Sequence, residues 1–296
     1  MKLVTFKPGE EESWQVGLIL ASRVIPLGDK LEELGLPFKV NNMSDFLKMG
    51  DRAFHLAQQV AQKAGSTEEG FALNSVKLGP PVIEPGKIIC VGLNYTDHAL
   101  EGGNPIPEEP VLFGKYANAI VGPGGAICLP PESKQVDFEA ELAVVIGEKT
   151  YRVSEKEALS CVAGYLNFND ISARDLQRRD GQWMKGKFLD TFAPIGPWLV
   201  TPDEVGNPNK LDIKLFLNGE IMQSSNTENM IFSVEYLISF ISSLVTLLPG
   251  DIIATGTPSG VGYARKPPVF LKEGDIVQVA IEKLGVLENL VVRRKA

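Results

Sequence analysis

Apolar and polar residues change period several times along the chain. Over residues 1 to about 36, short apolar runs such as Val16-Gly17-Leu18-Ile19-Leu20 alternate with Gly and polar breaks, which predicts a small β-meander opened by Met1-Lys2-Leu3-Val4-Thr5-Phe6. Ser44 then precedes a helical pattern through Phe46, Leu47, Phe54, Leu56, Ala57 and Val60 that ends near Gly65. Gly79-Pro80-Pro81-Val82-Ile83-Glu84-Pro85-Gly86 suits extended or turn backbone and reads as a linker. It divides a small N-terminal domain (1–80) from a larger one (85–296). In the larger part, Lys87 to Gly92 is a buried strand, and Thr96 caps a short helix that places His98 and Glu101 on one face. Gly102-Gly103 and the prolines at 105, 107 and 110 form a lid-like loop. Leu211–Leu217 and Glu220–Gln223 are strands joined at Asn218-Gly219, with a loop from Ser224 to Thr227. Val234–Leu247 is an amphipathic helix, and the segments around Ile252, Val277 and Val286 add strands and closing turns. The expected class is mostly β, of α+β type.

The densest chemistry lies between Asp137 and Asp190. Asp137-Phe138-Glu139-Ala140-Glu141 runs directly into Leu142-Ala143-Val144-Val145-Ile146. As one strand it would put Asp137, Glu139 and Glu141 on a single face. Adjacent carboxylates repel unless a cation or water neutralises them, and apolar residues typical of a sheet buried on both sides argue against a simple solvated face. A second apolar stretch, Tyr165-Leu166-Asn167-Phe168, delivers Asn169-Asp170 before a polar segment, predicted helical, that carries Arg174, Gln177, Arg178 and Arg179; Lys185 and Lys187 follow. Carboxylates from two strands beside basic residues point to a hard cation with an anionic ligand next to it. Arg178 and Arg179 serve equally well as a solvated helix face. Lys115 is a candidate polar contact. Thr255-Gly256-Thr257-Pro258-Ser259-Gly260-Val261-Gly262 leads to Pro267-Pro268 and not into a helix, so it lacks the setting of a dinucleotide or P-loop site. Its N–H groups and hydroxyls can still hold a small oxyanion.

Composition narrows the partners. Apolar content of 44% and charged content of 22% are ordinary for a globular protein of 296 residues. A net charge of −8 argues against nucleic acid or an anionic membrane surface, and no apolar run is long enough to span a bilayer. Cys90, Cys128 and Cys161 are odd in number and widely spaced, which reads as reduced core thiols in a cytoplasmic protein. His98 beside Glu101 reads either as a surface pair at a helix start or as a base whose free nitrogen activates water. His55, between Phe54 and Leu56, reads as a surface or packed histidine.

These motifs occur together in one known family. Gly92-Leu93-Asn94-Tyr95 with His98 and Glu101, Asp137 to Leu142, Asn169-Asp170-Ile171-Ser172-Ala173-Arg174-Asp175, Gly186-Lys187, Asp190-Thr191-Phe192-Ala193-Pro194 and the Thr255–Gly262 loop resemble, in order, the fumarylacetoacetate hydrolase family. The resemblance covers roughly residues 85 to 296, and the first 80 residues look like the smaller domain of one subgroup, the domain-containing protein 2 type. It implies a mixed β-roll catalytic domain, a homodimer, and Mg²⁺ or Mn²⁺ held by Glu139, Glu141 and Asp170. It further implies that His98 with Glu101 activates water and Lys187 stabilises negative charge, while Tyr95, Arg174, Gln177 and Thr257 orient a 2-oxo or 2,4-dioxo acid. The implied reaction is hydrolysis of a C–C bond in a 2,4-dioxo acid through a metal-bound enolate. Tautomerisation or decarboxylation of oxaloacetate is the alternative on the same site. Rivals from other classes are a two-metal phosphodiesterase on the same acids and a divalent-ion-binding protein without catalysis.

Overall fold

The computed structural model describes residues 1–36, 40–64 and 69–293. A sheet covered on both faces needs continuous apolar strands, and two such strands lie side by side at the centre. Ala140–Ile146 and Val162–Asn169 are buried at every residue and pair antiparallel. Ile252–Ala254 pairs with the free side of Ala140–Ile146; Ile88–Gly92 lies parallel to it, and Val111–Lys115 follows at that edge. In the other direction come Ala193–Val200 and then Lys2–Lys7. Gln15–Leu20, Arg23–Pro26 and Phe71–Ala72 complete that side as the expected meander. A smaller sheet of Glu220–Asn226, Asp212–Leu217, Ile276–Ile281, Gly285–Arg293 and Ala126–Leu129 packs against the larger one, and neither closes on itself. The class is therefore the expected sheet-dominated α+β.

Residues 79–86 do not hang free between the two parts. The Gly79 N–H donates to the Thr5 carbonyl at 2.8 Å, and the Thr5 hydroxyl donates to the Pro81 carbonyl at 2.9 Å. Pairing of Lys2–Lys7 with Ala193–Val200 carries the sheet across the linker. One apolar cluster takes in Leu31, Phe46 and Leu56 together with Leu142, Phe168 and Ile213.

Several boundaries differ from the sequence reading, each for a local reason. The single helix after Ser44 is two, Met43–Lys48 and Asp51–Ala64, because Gly50 between them takes φ +57°. Asn42 is the cap, accepting from the Asp45 N–H at 2.9 Å, and Ser44 lies inside the helix. The predicted end near Gly65 falls outside the described residues. Thr96 is likewise inside its helix, Thr96–Glu101, with Tyr95 at the cap position. The strand after Asn218-Gly219 runs on to Asn226 because its ladder with Asp212–Leu217 continues, so Ser224 to Asn226 is not loop. The late helix stops at Leu244, where Val245 turns to extended backbone.

The most consequential difference is the acidic strand, which is broken in two. Val136–Asp137 forms a two-residue ladder with Ser172–Ala173, while Ala140 begins the central strand. Gln223 fastens that start. Its Oε1 accepts from the Ala140 N–H at 2.8 Å, and its Nε2 donates to Thr257 Oγ1 and the Pro258 carbonyl, each at 2.8 Å. Gln223→Leu strips partners from buried donors and acceptors, so urea unfolding is expected to show a loss of about 1–3 kcal/mol.

Candidate active site

Six segments bring the candidate residues to or beside one cavity of about 430 Å³, lined among others by His98, Glu139, Glu141, Arg174, Gln177, Lys187 and Thr257. The acids arrive from the start of the central strand and the end of its neighbour, where Asp170 follows Asn169. The polar segment after Asp170 forms only one helical turn, Arg174–Gln177, and the lysine arrives on another, Met184–Lys187.

An alternating chain of buried charges runs behind the cavity. Arg174 Nε meets Asp137 Oδ2 at 2.8 Å, and its Nη2 meets Glu139 Oε1 at 2.5 Å. Lys187 Nζ lies 2.7 Å from both Glu139 Oε2 and Asp170 Oδ2. Lys115 Nζ closes the chain at 2.7 Å from Asp170 Oδ1 and also donates to the carbonyls of Ile171, Lys187 and Phe192. All six side chains are buried. Burial alone would raise Glu139, but Arg174 and Lys187 outweigh it and hold its carboxyl well below the usual range. Burial works against the charged form of Lys187 too, yet Asp170 and Glu139 raise it; for Lys115 burial prevails and the shift is downward.

Glu141 stands outside this alternation. Its carboxylate accepts the Gly256 N–H at 2.9 Å, and no basic side chain contacts it among the described residues. Burial, then Asp170 and Glu139, push its pKa well up. Gly256 comes this close because it takes φ +100° and because a Cβ there would lie 2.8 Å from that of Asn94. One oxygen from each of Glu139, Glu141 and Asp170 lies within 4.8 Å of the others. A buried all-oxygen set with one carboxylate left without a counter-charge fits a hard divalent cation.

Asp137 is no ligand in this arrangement. It accepts from the Gly262 and Tyr263 N–H groups and holds Arg174. A Cβ at position 262 would meet Asp137 Oδ1 at 2.5 Å and the Val269 carbonyl at 1.9 Å, so only Gly permits the contact.

His98 is 5% exposed, so the surface-pair reading fails. Its Nδ1 lies 2.9 Å from Glu101 Oε1, which leaves Nε2 as the acceptor. Glu101 Oε2 accepts the Gly260 N–H at 2.9 Å, and Asp97 Oδ2 accepts the Ser259 hydroxyl at 2.6 Å, tying this helix to the Gly-rich loop. Thr257 Oγ1 accepts from Gln223, so its own O–H is free to donate into the cavity. Gln177 Oε1 accepts from Arg174 Nη1 at 3.1 Å, leaving its amide N–H groups.

Two expectations need correction. Tyr95 is fully buried, is not among the residues on the cavity wall, and its hydroxyl has no hydrogen-bond partner among the described residues. Arg174 lines the cavity but is committed to Asp137, Glu139 and Gln177, which makes it first a part of the charge chain. Reading the sequence missed Lys115 as the buried anchor of Asp170, and Gln223 and Tyr263 altogether. The apolar flank of Lys115 in Phe113-Gly114-Lys115 was the one available signal. His55 is exposed and bonds Gln59, as expected of a surface histidine.

Comparison with known proteins agrees with this geometry. Residues 87–292 match the model of the fumarylacetoacetate (FAA) hydrolase C-terminal domain. The chain belongs to the fumarylacetoacetate hydrolase family and is an enzyme of that family. It is 44% identical over 294 residues to the Xenopus laevis protein named oxaloacetate tautomerase fahd2, mitochondrial, covering 99% of this chain and 90% of that one. It is 50% identical over 259 residues to oxaloacetate tautomerase FAHD2A, mitochondrial, of Bos taurus, covering 86% and 81%. A solved fumarylacetoacetate hydrolase from psychrophilic Exiguobacterium antarcticum superposes with a TM-score of 0.82 at 33% identity, covering 99% of this chain and all of that one.

Two outcomes follow from the charge chain. Lys115→Met takes the ammonium away from Asp170 Oδ1 and from three carbonyls while Lys187 still holds Asp170 Oδ2, so denaturation should show a loss of about 1–3 kcal/mol. Glu141 has a raised pKa in the folded protein and must lose its proton to ligate, so Mg²⁺ competes with a proton there. Affinity for Mg²⁺ should therefore rise with pH through that raised value. Calorimetry in buffers of different ionisation enthalpy should detect proton release, and Glu141→Gln should abolish it.

Proposed function

We propose that this chain interconverts the keto and enol forms of oxaloacetate, with Mg²⁺ or Mn²⁺ as cofactor. The observation that carries the reading is the meeting, on one cavity wall, of a histidine with an acceptor nitrogen, a buried ammonium and the carboxylates of Glu139 and Glu141, with that of Asp170 directly behind them. The relatives named oxaloacetate tautomerase support the choice of substrate. Tautomerisation moves one proton from C3 to the oxygen on C2 and neither gains nor loses an atom.

The residues divide this work as follows. His98 Nε2 takes the C3 proton, while Glu101 holds the Nδ1–H and stabilises the imidazolium that forms. Lys187 Nζ, held by Glu139 and Asp170, donates to the C2 oxygen as negative charge builds there. Thr257 and Gln177 donate hydrogen bonds that fix the adjacent carboxylate. A divalent ion on Glu139, Glu141 and Asp170 would polarise the C2 carbonyl, commonly worth several kcal/mol of barrier.

Hydrolysis of a 2,4-dioxo acid is the second reading, favoured by the likeness to the Exiguobacterium hydrolase. His98 would then take its proton from water, whose hydroxyl adds to the distal carbonyl carbon before the C–C bond breaks. Decarboxylation of oxaloacetate would use the same ammonium and carboxylates. A homodimer belongs to the same proposal; Ile221, Ile276, Val286 and Leu290 are exposed on the outer face of the smaller sheet and offer it apolar surface. So does the cytoplasmic placement, for which the three free cysteines are the support, beside the mitochondrial setting in the relatives' names.

The test is ultraviolet loss of the enol band of oxaloacetate with Mg²⁺, Mn²⁺ or chelator, run beside a panel of acylpyruvates. Accelerated interconversion of oxaloacetate is expected, reduced about 10²–10⁴-fold in His98→Asn. An unaccelerated enol decay, with acylpyruvates cleaved, would transfer the reading to hydrolysis.

A further inference from the structure

Arg174 was expected to hold the substrate, yet its Nε, Nη1 and Nη2 all have partners within the protein. The cavity carries a second guanidinium with a different environment. Arg178 lines the same cavity, is exposed at its mouth, and meets no carboxylate among the described residues. Its Cζ lies 4.7 Å from the centre of the Tyr263 ring, which Arg174 Cζ also approaches, at 4.4 Å. The main chain that carries this ring is itself held, since the Tyr263 backbone N–H donates to Asp137 Oδ2 at 3.1 Å. Stacking on an aromatic face orients a guanidinium while leaving its N–H edge available for a carboxylate.

Neighbouring groups on this wall are donors as well. A Cβ placed on Gly102 would lie 2.6 Å from the Tyr263 hydroxyl and 2.7 Å from Asn104 Nδ2, so both polar groups crowd Gly102 on the cavity wall. The nearby carboxylate, Glu101, is engaged by His98 and Gly260. Charge points the same way. Asp137, Glu139, Glu141 and Asp170 set against Lys115, Arg174 and Lys187 leave one negative charge in excess. A divalent cation would reverse that to one positive charge, which the Glu101 carboxylate beside His98 offsets. Arg178 then supplies the surplus positive charge, at the mouth where a second carboxylate would lie.

We infer that Arg178, stacked on Tyr263, binds the distal carboxylate of a dicarboxylic 2-oxo acid and makes the site selective for dianions over monoanions. The inference rests on the proposed function for the seat of the first carboxylate. Its test compares oxaloacetate with its 4-methyl ester, which differ in the distal charge, on the Mg²⁺-loaded full chain. Each compound is measured as KM in turnover and as a shift in Tm on binding.

The wild-type chain should prefer oxaloacetate by about tenfold or more, the range of a charge-assisted hydrogen-bonded pair. Arg178→Met should bring the preference to within about twofold, with KM rising far more than kcat falls. Arg178→Lys should keep part of it, and Tyr263→Leu should reduce it by freeing the guanidinium from its platform. An undiminished preference in Arg178→Met overturns the inference, as does a wild-type chain that treats acid and ester alike. If oxaloacetate is not turned over but its Tm shift still exceeds that of the ester through Arg178, the inference stands and the tautomerase reading falls.

Discussion

Everything at this site depends on alternation of charge inside a sheet that excludes water. Taking a carboxylate or an ammonium out of water costs several kcal/mol per ion unless partners surround it. Asp137, Arg174, Glu139, Lys187, Asp170 and Lys115 meet that demand by standing in a row of opposite signs, each within hydrogen-bond distance of the next. The row is neutral. Glu141, beside it, is the carboxylate left without a counter-charge, because a single backbone N–H cannot balance a buried carboxylate.

The break in the acidic strand is the structural means to this order. Had Asp137, Glu139 and Glu141 stayed on one continuous strand, three like charges would face the same way with about 7 Å between successive side chains. Ending the short ladder at Asp137 and restarting at Ala140 lets Asp137 turn to Arg174 and the Gly262 loop instead. Gln223, from the smaller sheet, then accepts the Ala140 N–H and ties Thr257 to the same point. The two sheets are thus joined at the site as well as through their apolar faces.

Much of this was legible in the chain. Alternation and apolar runs marked the central strands, Asn218-Gly219 marked its hairpin, and the acids marked a hard-cation site, because period and residue type are local signals. The remainder was set by partners distant in sequence. Nothing near Lys115 announces that Asp170, 55 positions away, will claim it, and nothing near Gln223 announces Ala140. The strand break was hidden because Phe138 and Ala140 preserve an apolar–polar alternation straight through it. Arg178 read equally well as a carboxylate binder or a solvated face, because its setting comes from Tyr263, 85 positions away in sequence.

The Lys115 ammonium sits among four oxygens, from Asp170 and the carbonyls of Ile171, Lys187 and Phe192. That is the kind of cage in which a potassium ion would feel at home. Because this occupant is tethered through its own side chain, dilution cannot remove it and other alkali ions gain nothing by competing for its place. Asp170 is thus held by a cation that belongs to the chain itself. A divalent ion on Glu139, Glu141 and Asp170 would find that one carboxylate already positioned.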